Sequence, residues 1–402
     1  MTSINETEDL PGSAPAGLAR RVALIVAVAF FMQLLDSTII STSLPQMGTS
    51  FGVPAVAMSI GITVYMLTMA VFVPLSGWLA DRFGARNVFL LAIALFTLAS
   101  LACGLSHGLD EFVAARAVQG LGSALMTPVG RILVLRNASK SELLEATALI
   151  TWPALFAPVI GPVLGGFITT ALSWHWNFFI NIPLGFVGFA LVARYVPDTR
   201  EADAKPLDWT GFMLTGIGLG AMLYGLERIA HPEDGLKPTF ILLGAGLVVG
   251  WLAVRHLRQV RHPLLDLGAF RVQTFALSTL SAGTIFRVAI NATPFLLPLL
   301  FQVGFGLSPV DAGVMILAYF LGNLGMKAVT TPTLRRFGFR RVLIVNGVIA
   351  SLSIAACAAI SPSTPWPLLV ALMLVAGLSR SMQFTALNTL AFADIAVAQR
   401  SS

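Results

Sequence analysis

Two oppositely charged residues, Asp36 and Arg116, interrupt long apolar segments of this sequence. An ionisable group in hydrocarbon costs about 2.5 to 3.5 kcal/mol, so such a group usually faces a cavity or a partner. Both residues are expected about 8 to 10 Å below the same membrane surface, because each helical residue rises about 1.5 Å. They could therefore pair, if the helix faces that carry them meet. Asp36 could then carry a proton, or the pair could be a static structural element.

Three further basic residues, Arg287, Lys327 and Arg380, fall within apolar segments of the second half of the chain. The ammonium of Lys327 could reach the inner membrane surface, which leaves Arg287 and Arg380 as the better candidates for lining a cavity. The neutral polar residues predicted to join them are Thr38, Gln119 and Asn291. The excess of positive charge favours anionic or zwitterionic ligands, or serves only to keep Asp36 ionised.

A short charged turn, GWLADRFGAR at residues 77–86, joins two apolar segments. Gly84 permits a backbone conformation that other residues resist. Arg131, near the inner end of a later segment, is expected to reach this turn. The predicted gate residues are Gly77, Asp81, Arg82, Gly84, Arg86 and Arg131. They form either a latch that holds one conformation or a set of charges that fixes the topology.

One apolar segment is rich in proline and glycine. Its predicted helix-packing residues are Pro158, Gly161, Pro162, Gly165 and Gly166. Proline deforms a helix, and glycine lets a neighbouring helix approach closely.

The elements that must position these residues are long apolar runs. The 402-residue chain is 56% hydrophobic and 11% charged, whereas a soluble domain is about 25% charged. A run of about 18 or more apolar residues is long enough to cross a bilayer. The sequence therefore predicts an all-α integral membrane protein with about twelve spans, at residues 22–43, 57–78, 87–106, 111–135, 143–170, 176–196, 210–227, 239–254, 274–302, 310–331, 342–360 and 367–390.

The loops predict an orientation and exclude several classes of function. Eighteen of the 25 Lys and Arg residues fall in loops on one side and two on the other. This asymmetry predicts cytoplasmic termini and a plasma membrane location, the inner membrane in bacteria. The basic residues are spread between apolar runs, which argues against nucleic acid binding. The five histidines lack metal-ligand spacing, and no nucleophile elbow or phosphate loop is present, so neither a cofactor nor an enzyme is predicted.

The chain contains an internal repeat. Residues 79–90 and 333–344 share the pattern Arg-Phe-Gly-x-Arg-x-Val at a separation of 254, and Asp36 aligns with Asn291. Two copies in the same orientation are typical of transporter halves that enclose a site. Spans seven and eight have no counterpart in the repeat. The predicted parts are an N-terminal tail, a six-helix bundle, an inserted two-helix hairpin with flanking loops and a C-terminal bundle, at 1–21, 22–196, 197–273 and 274–402.

Several of these segments resemble signatures of the major facilitator superfamily. The turn at 77–86 resembles its signature between spans two and three, and RAVQGLG at 116–122 resembles its second signature. APVIGPVLGG at 157–166 resembles the drug-antiporter signature. LDSTIISTSLP at 35–45 and WHWNFFINIP at 174–183 narrow the resemblance to the fourteen-span drug:proton antiporters of the EmrB/QacA type. The likeness covers nearly the whole chain.

The resemblance implies a proton-driven secondary transporter that exports drugs or other small amphipathic molecules by alternating access. It implies a monomer whose partners are its substrate, protons and the lipid bilayer. Ser41, Thr42 and Ser43 depart from the family, which has an Asn and small apolar residues after the acid. The family also has two more helices, so four of six are expected in the C-terminal bundle. The alternatives are a truncated or transport-inactive member, or an importer or exporter of a specific metabolite.

Overall fold

The computed structural model describes residues 17–139, 142–198, 206–229, 236–261, 263–265, 267–280 and 282–391. Within these ranges every regular element is a helix. The predicted N-terminal tail lies outside the described residues as far as residue 16, and so does the predicted C-terminal bundle beyond residue 391.

The helices follow one another along the described chain with short connections. They are α1 Leu18–Ile39, α2 Leu44–Phe51, α3 Ser59–Phe83, α4 Ala85–Leu105, α5 Leu109–Asn137, α6 Leu143–Ala171, α7 Trp176–Phe179, α8 Asn181–Tyr195, α9 Trp209–Ile229, α10 Leu236–Leu257, α11 Gln273–Leu280, α12 Ala282–Leu299, α13 Pro309–Ala356 and α14 Trp366–Ala391. We call the end of the helices that carries α2 the outer end, and the end that carries Gly84 and Gly338 the inner end.

Eleven helical stretches of the described chain are long and apolar enough to cross a membrane. One of them, α13, contains the predicted spans at 310–331 and 342–360, because Gly338 takes a non-helical φ of 74° between them. The prediction of an all-helical membrane protein with about twelve spans is therefore confirmed. The eighth span, predicted over 239–254, has 22 residues in α10 and is long enough to cross.

The backbone repeats as the sequence does. Gly84 and Gly338 have φ of 89° and 74°, and Gly52 and Gly306 both have φ of 70°. Each pair is separated by the 254 residues that separate the sequence repeats. Positive φ is a conformation that glycine adopts without the steric cost of a Cβ atom. Both copies therefore make the same two turns, one at each end of the membrane-crossing helices.

Helices α9 and α10 occupy the segment predicted to be an inserted hairpin. They pack against each other, and α9 also contacts α3. Asp208, just before α9, accepts hydrogen bonds from the Gly211 amide and from His256 Nε2, both at 2.8 Å. Burial alone raises the pKa of Asp208, but the hydrogen bonds from His256, Gly211 and Leu264 lower it below its usual range. The start of α9 is thereby attached to the end of α10.

Helix α6 lies between the two halves of the protein, against α1 on one side and α13 on the other. A Cβ atom at Gly161 would overlap Thr38 of α1, and one at Gly166 would overlap the Pro309 carbonyl of α13. A Cβ at Gly313 of α13 would lie 2.7 Å from the Pro162 carbonyl oxygen. These backbones approach so closely that only glycine fits, as in other small-residue helix contacts in membranes.

Candidate functional site

An ion pair between Asp36 of α1 and Arg116 of α5 forms the centre of the N-terminal bundle. Arg116 Nη1 lies 2.8 Å from Asp36 Oδ2, and each residue is 1% exposed. The two helices thus present these faces to each other, a point that the depth of the two residues in the sequence left open. Removing one member of such a buried pair leaves an unpaired charge in hydrocarbon, at a cost of about 3 to 5 kcal/mol.

Two amides complete the shell around the carboxylate. Gln119 Nε2 and Asn181 Nδ2 donate to Asp36 Oδ1 at 2.9 and 2.8 Å. Both amides also donate to Ser100 Oγ, at 2.7 and 3.2 Å. Asp36 therefore accepts three hydrogen bonds from N–H donors.

Arg116 is held by groups of α3 as well. Its guanidinium carbon lies 4.1 Å from the centroid of the Tyr65 ring, and its Nε donates to the Gly61 carbonyl at 3.4 Å. The Tyr65 hydroxyl is 2.5 Å from Ser123 Oγ. A cation over an aromatic face is stabilised when water is excluded. The site is thus assembled from α1, α3, α4, α5 and α8.

Sequence analysis did not assign Tyr65, Ser100 or Asn181 to this site. Asn181 carried a usable signal, because it is a strong hydrogen-bonding side chain at the start of an apolar span. Ser100 and Tyr65 carried none, since isolated hydroxyl groups are common in membrane helices. Only the packing of α4 and α3 against α5 brings these two residues to the ion pair.

Asp81 at the inner end pairs with a residue other than the one expected. Its Oδ1 lies 2.7 Å from Arg136 Nη2, in the last turn of α5. The prediction that Arg131 reaches this turn is wrong, because Arg131 is five residues earlier, more than one helical turn deeper. Arg131 instead lines a cavity between α1, α5 and α6.

The other predicted gate residues have separate surroundings. Arg86 Nη2 donates to the Ala193 carbonyl in the last turn of α8, whereas Arg82 is exposed. Gly84 supplies the positive φ of the turn, and a Cβ at Gly77 would meet no atom within 4 Å. The ion pair of Asp81 and the bond of Arg86 both lie within the N-terminal bundle.

Two cavities adjoin at Thr151 of α6. The first, about 440 Å³, is lined by Gln33 and Arg131 among others. The second, about 290 Å³, lies between α6 and the helices α12, α13 and α14, and Asn291 and Arg380 line it. A cleft between helices is the usual place for a small-molecule site in a bundle.

Two predicted cavity residues have different positions. Gln119 is 0% exposed and bonds to Asp36, so the prediction that it lines the cavity is wrong. Thr38 lies between α1 and α6, where its hydroxyl bonds to the carbonyls of Leu34 and Leu35. The Arg287 guanidinium carbon lies 5.6 Å from the centroid of the Phe384 ring, which lines the second cavity. Its Nη2 donates to Asn388 Oδ1 at 2.7 Å.

At the outer end Gln302 joins the two halves. Its Nε2 donates to the Thr42 carbonyl at 2.8 Å, and its Oε1 accepts from Gln46 Nε2 at 3.2 Å. Gln302 is 8% exposed. The outer end is therefore closed by contacts between the halves. Within the part of the chain that is described, no three His, Cys, Asp or Glu side chains form a group able to hold a metal ion.

Known proteins resemble this chain in both sequence and fold. The model of the Major Facilitator Superfamily matches residues 26–402. "Putative multidrug resistance protein MdtD" of Cronobacter sakazakii is 38% identical over 377 residues, covering 92% of this chain and 78% of the relative. The protein of the same name from Escherichia coli is 38% identical over 393 residues, covering 96% of this chain and 81% of the relative.

Solved structures share the fold at low sequence identity. The POT family transporter PepTSo aligns with a TM-score of 0.66 at 15% identity, covering 95% of this chain and 85% of its own. The D-xylose-proton symporter aligns with a TM-score of 0.62 at 16% identity, covering 93% and 86%. The family match, the two named relatives and the helical fold lead to one conclusion: the chain belongs to the major facilitator superfamily, a family of membrane transporters rather than enzymes.

Proposed function

We propose that this protein exports drugs or other small amphipathic molecules in exchange for protons, by alternating access. The observation that carries the proposal is the buried ion pair of Asp36 and Arg116, at 2.8 Å. The relatives from Cronobacter sakazakii and Escherichia coli, which are named multidrug resistance proteins, support the choice of substrate.

Asp36 is the proposed proton-binding group, because it is a carboxylate buried inside the membrane-crossing helix α1, beside the cation of Arg116. A proton that binds Asp36 removes the charge opposite Arg116. The unpaired guanidinium then becomes costly to keep buried, so the helices around it must rearrange. Loss of the proton to the other side restores the pair and resets the site. The transported proton would thereby be coupled to the conformation of the bundle.

Closure at the outer end supports alternating access. Gln302, Thr42 and Gln46 join the halves there, while the cavity beside Arg131 lies nearer the inner end. This arrangement suits a conformation that faces the inner side. Opening the outer end would require these contacts to separate, and we propose the turn around Asp81 as the gate that then closes the inner end.

We further propose that the protein works as a monomer in the bacterial inner membrane, with both termini in the cytoplasm. The orientation is supported by the excess of Lys and Arg in the loops of one side. Such an excess favours retention of those loops in the cytoplasm.

The test is proton-coupled efflux in inverted membrane vesicles. Vesicles with a pH gradient and a pH-sensitive dye would receive candidate drugs, amino acids and sugars in turn, so that proton release identifies the transported class. Asp36→Asn should abolish drug-dependent proton release, because an amide cannot bind and release a proton. Asp110→Asn is the matched control, since Asp110 is exposed in the first turn of α5, and it should behave as the parent does.

Abundance in the membrane must be equal among the three proteins, as judged by immunoblot. Proton release by Asp36→Asn at the rate of the parent would refute the carrier role.

A further inference from the structure

The second cavity, between α6 and the C-terminal bundle, is rich in positive charge. Lys327 and Arg380 both line it. Between residues 273 and 391 the sequence has seven Lys and Arg residues but one acid, Asp311, in the first turn of α13 at the outer end. No carboxylate of the described residues forms an ion pair with Lys327 or Arg380. Arg380 is half-buried and Lys327 is exposed, so both charges are open to an anion that enters the cavity.

The repeat identifies which group is missing. In the first copy Arg116 stacks on Tyr65 at 4.1 Å and pairs with Asp36. In the second copy Arg380 stacks on Tyr319 at 5.5 Å, and Tyr319 follows Tyr65 by 254 residues.

The position that aligns with Asp36 is Asn291, which lines the cavity. Where the first copy has a carboxylate, the second therefore has a neutral amide. The second copy thus also has an arginine beside an aromatic ring, at a position that does not align with Arg116, but it has no carboxylate at the position of Asp36.

A buried hydroxyl group gives independent evidence for a ligand. Ser381 lines the same cavity and is 3% exposed, yet its Oγ has no hydrogen-bond partner among the described residues. Buried polar atoms are rarely left unpaired in native proteins. A ligand oxygen in the cavity would satisfy this hydroxyl and the two cations together.

We propose that this cavity binds the anionic group of an amphipathic solute, a carboxylate or a related oxyanion. Arg380 and Lys327 supply the positive charge, and Ser381 donates a hydrogen bond. Phe320 and Phe384, which also line the cavity, contact the apolar part of the solute. This inference deepens the proposed function, because it names the class of substrate. The anion takes the place that Asp36 occupies in the first copy.

The test is ligand binding rather than transport. The purified full chain, in nanodiscs of phosphatidylcholine, would be titrated with 2-naphthoate and with its charge-reversed counterpart, 2-naphthylmethylammonium. We expect the protein to prefer naphthoate. Arg380→Gln should weaken naphthoate binding by about tenfold, the usual effect of losing a hydrogen bond to a charged group.

Asn291→Asp supplies an internal carboxylate and is the sharper variant. It should weaken naphthoate binding by about tenfold or more, and it should not weaken binding of the ammonium compound. Arg341→Gln is the matched control, because Arg341 is an exposed base at the inner end, and it should bind naphthoate as the parent does. Unfolding midpoints would identify any variant that fails to fold.

Three results would overturn the inference: preference of the parent for the ammonium compound, unchanged naphthoate binding in both cavity variants, or equal weakening in the Arg341→Gln control. Nanodiscs that contain phosphatidylglycerol test a lipid source of the anion. If this lipid prevents naphthoate binding in the parent, the cavity holds a lipid headgroup instead of a solute. Because Asp36→Asn tests proton coupling and these variants test binding, failure of either proposal is recognised separately.

Discussion

The two halves of this protein repeat the same backbone turns, but an arginine inside each half has different surroundings. In the N-terminal half Arg116 is neutralised by Asp36 and stacked on Tyr65. In the C-terminal half Arg380 is stacked on Tyr319, and the residue aligned with the acid is Asn291. One half therefore contains its own counter-charge, while the other leaves a cation facing a cavity.

This comparison shows that the two copies of the repeat retain the same close backbone contacts but differ in their charged residues. Gly120 and Gly377 occupy matching places, since a Cβ at either would overlap the carbonyl oxygen of Tyr65 or Tyr319. Backbone contacts of this kind tolerate no added atom, so both copies keep glycine. A charged side chain can be substituted in one copy if another charge, from the protein or from a ligand, compensates for its loss. We therefore attribute the different proposed roles of the two halves, proton binding and anion binding, to this difference in charge.

Removal of each arginine gives the largest expected contrast. Arg116→Gln leaves Asp36 unpaired and should lower stability by about 3 to 5 kcal/mol. Arg380→Gln breaks no ion pair among the described residues and should cost less than about 1 kcal/mol. Thermal unfolding of the purified variants in detergent measures both. Equal losses would contradict the view that only the first arginine is neutralised internally.

The matched glycines should show the symmetry of the backbone. Gly120→Ala and Gly377→Ala each force an added methyl group against a neighbouring backbone, which should cost about 1 to 3 kcal/mol in both halves. Gly220→Ala is the control, because a Cβ there would meet no atom within 4 Å. The unfolding midpoints of the three variants provide the comparison. A large effect in one half alone would show that the close helix contact is not shared.

The inner turn should give the smallest effect on stability. The Asp81 and Arg136 side chains are 35% and 21% exposed, and partly exposed pairs contribute about 0 to 1 kcal/mol. In the second copy the aligned residue is Arg335, so this ion pair belongs to the first half alone. Asp81→Asn should therefore shift the unfolding midpoint little.

The same variant tests the proposed gate. Asp81→Asn should change the labelling rate of a cysteine introduced at Thr147, which lines the first cavity. Both proteins need Cys357→Ser, because Cys357 is partly exposed. A labelling rate identical to that of the parent would show that this turn is not a gate and that its charges serve only to fix the topology.

The fold of this protein could be read from its sequence. Apolar runs longer than 18 residues have few alternatives to a membrane helix, because a bilayer leaves backbone groups unpaired in any other open structure. The repeat was also visible, since Gly84 and Gly338 sit in the same pattern of charged residues. The sequence also showed that Asp36 and Arg116 lie at similar depth in the membrane, so that the two charges could pair.

Tertiary structure alone decided which neutral groups joined those charges. Gln119 could have faced the cavity or the ion pair, and the sequence of α5 alone does not decide between them. Arg136 rather than Arg131 reaches Asp81, because Arg131 lies more than one helical turn deeper. The sequence determined the length, depth and charge of each helix, because these depend on transfer from water into lipid. The direction in which each helix face points depends on contacts with its neighbours, which no single segment contains.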